Sequence, residues 1–219
     1  MDLLDRVLDA GRDLLARVDS ALVTGGAPAD HPIWPAARRV GALPGDAAES
    51  LAALRPDALL GCAARLRSLA GAYAHQHIAL TNLTGTGAWE GAGAEAFAGQ
   101  VRAFADHLGT GADGLVGRLD ATASYVEDVA GWIAEARRAL AGTIAMVLIS
   151  AEAIALRTGT GETPAAATIG ARVLESVAAA HQAGSELRQR WAGRLGELAY
   201  RPPTEAPAMP DGSVTRVTL

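Results

Sequence analysis

The chain contains no lysine: all 19 of its basic residues are arginine. Arg-specific recognition is one reading of that bias. The codon usage of a GC-rich bacterial genome is the simpler one. Aromatic residues are scarce as well, at 4% against 50% hydrophobic residues, and alanine supplies much of the apolar share. Such a composition suits closely packed helices better than sheets. The single cysteine, Cys62, excludes an intrachain disulfide and any Cys-pair zinc site. It falls on an apolar seam, where a buried core thiol is expected.

Blocks of like charge are missing too, and the net charge is −5. Nucleic-acid binding needs concentrated cationic charge, so nucleic acid is not expected as a partner. Simple electrostatic docking on anionic lipid is disfavoured on the same ground. The start, Met1-Asp2-Leu3-Leu4-Asp5, lacks a basic segment followed by an apolar core, and no Sec-type signal peptide is expected.

Catalytic patterns are also absent. His75 and His77 are two apart on a helical run and point to different faces. His31, His107 and His181 are scattered. Ser124, Ser150, Ser176 and Ser185 lie inside helical runs, without a nucleophile elbow. Gly109, Gly111 and Gly114 match a dinucleotide glycine pattern in spacing, but they follow a helix rather than a strand. Glu127 and Asp128 read as a solvated helix face. No enzyme, cofactor or metal is expected.

What is present is helical periodicity. Leu59, Leu66, Tyr73 and Leu80 are seven apart, and Cys62, Leu69, Gln76 and Leu83 interleave with them. A Gly-rich breaker, Gly85 to Gly93, interrupts the pattern and holds Trp89-Glu90-Gly91. A second seam follows: Phe97, Val101, Phe104, Leu108, Gly111, Leu115, Leu119, Thr122, Val126, Val129, Ile133, Ala136 and Leu140, at the period of a straight helix. The glycines at 109, 111, 114 and 117 mark either a hinge in a continuous helix or a close approach of two backbones. Two such runs around a short breaker predict an antiparallel helical hairpin over 57–140.

Trp89-x-Gly91, with Ala94, Ala96, Phe97, Val101, Phe104 and Leu108 after it, resembles the WXG superfamily of type VII (ESX) secretion substrates. Ala112-Asp113-Gly114-Leu115, Leu119, Ala123 and Tyr125 resemble that family's second helix. The resemblance implies that the Trp and Gly build the turn of a hairpin that pairs with another hairpin into a four-helix bundle. Trp89, Gly91, Phe97 and Phe104 are then the turn and partner-interface residues. The family's export signal places an acid four residues after a Tyr. Here Val129 holds that place after Tyr125, and Asp128, one residue early, is the nearest candidate. The alternative is that Tyr125 is an ordinary seam-flanking aromatic.

The remaining segments are also helical. Asp2 is a candidate cap for a helix over 2–23, with Leu3, Leu4, Val7, Leu8, Leu14, Leu15, Val18 and Leu22 along one stripe and Gly25-Gly26 at its end. That helix is expected to pack on the hairpin. Prolines at 28, 32, 35 and 44 punctuate a connector with short helices at Pro35–Val40 and Asp46–Leu54. Trp34, between two prolines, is either a recognition handle or an apolar plug. Pro56 starts the hairpin. Ala139 to Ala151 carries no charge, and Glu152 interrupts an apolar stretch that reaches Leu156. A helix buried among helices is the first reading of Ala139–Leu156, and a membrane-inserting segment is the alternative. Thr163-Pro164 opens the last helix, which is expected to end near Tyr200. Pro202 to Leu219 is expected to be disordered.

The expected architecture is all-α, an elongated hairpin or bundle with a Trp-x-Gly turn. Its divisions are 1–56 (N-terminal helix and Pro-rich connector), 57–157 (WXG-like hairpin with apolar extension), 158–201 (C-terminal helix) and 202–219 (tail). The expected function is non-enzymatic and associated with type VII secretion: a substrate, a substrate partner or a toxin-targeting module. Its expected partners are another small WXG-like protein or a second copy, and the secretion machinery. Localisation is then secreted or cell-envelope, without a signal peptide. The alternatives are a membrane-inserting or envelope-associated protein using Ala139–Leu156, and a cytoplasmic helical protein.

Overall fold

The computed structural model describes residues 2–83 and 90–198. Among these residues all regular structure is α-helical, in eight helices: α1 (Leu3–Gly25), α2 (Ile33–Val40), α3 (Pro44–Ala53), α4 (Pro56–Leu83), α5 (Ala92–Leu108), α6 (Leu115–Leu148), α7 (Ala151–Thr158) and α8 (Glu162–Glu197). The chain divides into two compact units, Met1–Leu59 with Asp128–Arg190 and Leu60–Glu127 with Trp191–Leu219. Each is discontinuous in sequence, and the division falls within α4, α6 and α8.

In the first unit, α1 opens with a reciprocal cap. Asp2 accepts the Asp5 amide at 3.0 Å, and Asp5 accepts the Asp2 amide at 3.2 Å. The apolar stripe of α1 then splits between two clusters. Leu4, Leu8 and Leu15 pack with Ile33, Ala36, Leu51, Leu140, Ile144, Leu174 and Val177. Leu14 and Val18 turn to Val147, Ala153, Leu156 and Ile169. Burying a leucine side chain contributes about 1.5–3 kcal/mol, so this stripe anchors the helix. Leu3, placed on the same stripe by its spacing, is half exposed.

Helix α3 begins with Pro44 after Leu43, whose side chain has no capping oxygen. The cap comes from another element: both Asp19 carboxylate oxygens accept the Gly45 amide at 3.1 Å. Burial raises the Asp19 carboxyl above its ordinary range, while the Gly45 amide acts in the opposite direction. Where α6 meets α8, alanine and glycine allow close packing. The Trp132 indole donates to the Ala180 carbonyl at 2.9 Å, and a Cβ on Gly184 would lie 2.8 Å from the Trp132 ring.

The apolar stretch Ala139–Leu156 is not one helix. Helix α6 runs on to Leu148, the chain bends by 58°, and α7 restarts at Ala151 with Ser150 as its cap. Leu140, Ile144, Val147, Ala153 and Leu156 are buried in the clusters above. No single described helix is long and apolar enough to cross a membrane, although α6 and α7 together meet that length and composition.

In the second unit the expected continuous helix beyond the breaker is divided. Helix α5 ends at Leu108 and α6 starts at Leu115. Between them the backbone folds on itself: the Gly114 amide donates to Gly111 at 3.0 Å and the Gly117 amide to Gly109 at 3.4 Å. A Cβ on Gly114 would enter the Gly109 carbonyl oxygen, and one on Gly117 the Gly111 carbonyl oxygen. Of the two readings of this glycine cluster, the close approach of two backbones is the one observed. The Gly85–Trp89 part of the breaker, and everything after Leu198, lie outside the described residues.

Candidate interaction surface

The second unit buries small residues. Ala63 and Ala70 are the buried positions of α4, Val101 and Ala105 those of α5, and Val116 and Ala123 are buried on α6. An inner line of alanine on α4 lets helices approach closely, and it leaves larger apolar side chains of α4 and α5 outside. Leu69 and Tyr73 on α4 are 50% and 39% exposed, and Phe97 and Phe104 on α5 are 50% and 46% exposed. Leu69 and Tyr73 are one turn apart, and Phe97 and Phe104 are two turns apart, so each pair shares a helix face. The seven-residue seams of the sequence therefore exist, but on α4 the seam through Leu69, Gln76 and Leu83 faces outward. Single exposed apolar residues are ordinary. Several at helical spacing on successive helices form a patch that favours association.

Polar ties position these helices. The His77 Nδ1 lies 2.8 Å from the Ala105 carbonyl. Ten residues earlier on α4, Arg67 reaches α6: Nε is 2.8 Å and Nη2 is 2.6 Å from the Glu127 carboxylate, and Nη2 is 3.3 Å from the Ser124 hydroxyl. Asp120 stands 3.8 Å away. Hydrogen bonding to Arg67 holds the Glu127 carboxyl below the usual carboxylate range and raises the guanidinium's own value. Glu127 thus accepts a bidentate arginine while staying on the solvated face that its sequence suggests, its side chain 38% exposed. Contacts move backward along α4 while they move forward from α5 to α6.

The residues singled out by the sequence fall in different places. Trp89 lies outside the described residues. Gly91, at φ +103°, caps α5 in a backbone conformation that favours glycine. Phe97 and Phe104 are on the exposed patch. Tyr125 is half-buried on α6, edge-on to Trp191 with ring centroids 5.3 Å apart, and the Arg194 guanidinium lies 5.2 Å over the Trp191 ring. Asp128, one turn on from Tyr125, is exposed. Trp191 and Arg194 read from sequence only as a position in an amphipathic helix. Their pairing with Tyr125, across the length of α6 to α8, has no local signal.

In the first unit Arg137 gathers a second polar centre. Its guanidinium, 2% exposed, donates to Asp2 at 2.7 Å, to Asp5 at 2.8 Å, to the Leu54 carbonyl at 3.0 Å and to the Ala52 carbonyl. Arg55 adds a further contact to Asp5 at 3.0 Å. Hydrogen bonds from Arg55 and then Arg137 hold the Asp5 carboxyl at about 2, and the Arg137 bond lowers Asp2 as well. These groups line a concavity of about 1270 Å³. Asp2, Asp5 and Asp19 there are engaged by arginines or by the Gly45 amide, an arrangement that locks α1 and α3 in place. No group of three or more metal-ligating side chains converges among the described residues. Comparisons with protein-family models, with curated proteins and with solved structures find no match to this chain.

Proposed function

We propose that the chain is a non-enzymatic helix-pairing protein of type VII secretion, a substrate or the partner of one. In this reading α4 and α5 are an antiparallel hairpin turned at Trp89-x-Gly91. Its outward face, Leu69, Tyr73, Phe97 and Phe104, receives a second WXG-like hairpin. The observation that carries the reading is that patch: four large apolar side chains, each more than a third exposed, at helical spacing on consecutive helices. The order of contacts from His77 to Arg67, and the left-handed Gly91 at the start of α5, support it. The resemblance of Trp89-x-Gly91 to the WXG motif supplies the secretion system.

The test is co-expression with the small helical proteins encoded beside it, read by native mass spectrometry. A one-to-one complex that Leu69→Glu and Phe104→Glu both abolish, with unchanged circular dichroism, is the expected result. A homodimer lost in the same variants keeps the face and changes the partner. A chain that stays monomeric alone and with every neighbour overturns the proposal. For export, Tyr125 and Asp128 are the proposed signal. Asp128→Ala then lowers export and Val129→Asp, which restores the four-residue spacing, raises it. If neither does so in folded protein, the signal is elsewhere.

A further inference from the structure

Helix α3 is tied at both ends, and the two ties respond differently to acid. Its last turn is held by Arg137, which donates to the Ala52 and Leu54 carbonyls while it closes on Asp2 and Asp5. Its first turn is held by a carboxylate from another helix. Leu43 supplies no capping oxygen, and Asp19 of α1 accepts the Gly45 amide on both of its oxygens at 3.1 Å. The fit is close: a Cβ on Gly45 would lie 2.5 Å from Asp19 Oδ2, so the missing side chain at 45 is what lets the carboxylate reach the helix end.

The surroundings of Asp19 are acidic. Both ties lie on the concavity of about 1270 Å³, whose lining α1 and α3 dominate. On α3, Asp46 and Glu49 act on Asp19 as like charges. Asp9 on α1 and Asp57 at the start of α4 add to the same lining. The lining arginines are committed to other acids. Arg12 stands 3.7 Å from Asp9, Arg55 3.0 Å from Asp5, and the Arg137 guanidinium 2.7 Å from Asp2 and 2.8 Å from Asp5. An ionised Asp19 is therefore half-buried near two further carboxylates, with the Gly45 amide at the positive end of α3 as its compensation.

We propose that this joint is a proton-operated clasp between α1 and α3. With Asp19 ionised, the first turn of α3 is held by a carboxylate that burial and its neighbours disfavour, and the turn opens readily. With Asp19 protonated, the repulsion is gone, the carbonyl oxygen still accepts the Gly45 amide, and α3 closes on α1. The Arg137 tie stays shut in both states, so α3 moves about its last turn. The clasp belongs to the first unit and holds whether or not the chain pairs with a partner.

The direction of the response follows from the balance at Asp19. Burial raises its carboxyl, the Gly45 amide lowers it, and the charges of Asp46 and Glu49 raise it again, leaving it above its usual range. A carboxyl raised in this way binds its proton more tightly in the folded chain than in the unfolded one. Its contribution to stability grows as pH falls through the folded value and is complete below the unfolded value of 3.8. Asp5, held at about 2, has the opposite sense and responds only in stronger acid. Between neutral pH and about 4 the clasp therefore tightens while the Arg137 tie is unchanged.

The test is nuclear magnetic resonance of the full chain from neutral pH to about 4, with aspartate carboxyls and backbone amides labelled. Asp19, assigned by its loss in Asp19→Asn, should take up its proton above the ordinary aspartate range, and the Gly45 amide should shift with the same midpoint. Hydrogen exchange of the α3 amides, corrected for the intrinsic rate, should slow as pH falls in the wild type and stay level in Asp19→Asn. Asp46→Asn combined with Glu49→Gln should move the Asp19 midpoint part of the way down, because burial remains. Gly45→Ala, which pushes the carboxylate aside, should also uncouple α3 exchange from pH, and it stands in if Asp19→Asn does not fold. An Asp19 midpoint at or below the ordinary range overturns the proposal. So does wild-type α3 exchange that is the same at both ends of the window. A slowing that persists in Asp19→Asn, or in Gly45→Ala where the asparagine variant does not fold, assigns the response to another group and overturns it as well.

Discussion

Arg137 on α6 and Asp5 on α1, 132 residues apart in sequence, meet at 2.8 Å through a guanidinium that is almost fully buried. The same guanidinium closes on Asp2 and on the last carbonyls of α3, Ala52 among them. One side chain therefore ties the start of the chain, the end of α3 and the middle of α6. Its desolvation is offset because every direction it faces supplies an acceptor.

Removing this arginine takes a charged donor from two carboxylates and two carbonyls, while Asp5 keeps Arg55 and both acids keep their capping amides. Arg137→Ala should destabilise the fold by about 3 kcal/mol, the lower end for a broken buried pair, because Asp2 and Asp5 keep partial access to water. Arg137→Lys should recover little, because a lysine ammonium lacks the planar fork needed to reach all four acceptors. Urea unfolding of the three proteins measures both differences.

The same site makes stability depend on acid. The Asp5 carboxyl titrates at about 2 in the folded chain, below its usual 3.8. A depressed carboxylate stabilises fully above its unfolded value and loses that contribution as pH falls through the folded one. The stability gap between the wild type and Asp5→Asn should be wide at neutral pH, narrow below about 4, and nearly close by about 2. Unfolding midpoints of both proteins at several pH values in that window check it. A gap that stays constant across the window contradicts the assignment.

Much of the helical content was legible from periodicity and caps. Asp2 caps α1 and Pro56 starts α4, both as the sequence indicates. The exposed patch was legible as residues but not as a surface. A seven-residue repeat identifies a face, yet it does not tell whether alanine or leucine turns inward. On α4 close approach favoured the line through Ala63 and Ala70. Glycine spacing at 109–117 could not separate a hinge from a tight backbone crossing, because both need the same residue. Arg137 and Trp191 were illegible for another reason. Their partners lie far along the chain, and nothing local marks a buried arginine before its acceptors are known.

The glycine crossing yields a paired prediction. Gly114→Ala places a methyl group against the Gly109 carbonyl, so the connection between α5 and α6 must shift, at about 1–3 kcal/mol. Gly61 lies in the exposed interior of α4 with open space around its Cβ position. Gly61→Ala should therefore stabilise by up to about 1 kcal/mol through helix propensity alone. Melting temperatures that move in opposite directions for these two variants are the expected outcome. A Gly114→Ala protein as stable as the wild type would show that the crossing is loose.

The pairing of Tyr125 with Trp191 separates a packing role for Tyr125 from a signalling one. Trp191 is buried, with Tyr125 edge-on and Arg194 over its ring, so Trp191→Ala should cost about 3–5 kcal/mol. Tyr125→Ala should cost less, because Tyr125 is only half-buried. The two losses should fall short of additivity by about 0.5–1.5 kcal/mol in a double-mutant cycle, the amount an aromatic pair adds beyond its area. Tyr125→Phe keeps the ring and should leave stability within about 0.5 kcal/mol of the wild type. That variant isolates the hydroxyl. If its export falls while its unfolding curve overlays the wild type, the hydroxyl is read by a receptor. If any export follows stability through all four variants, Tyr125 acts only by holding Trp191 in place, and the proposed signal at Tyr125 is overturned.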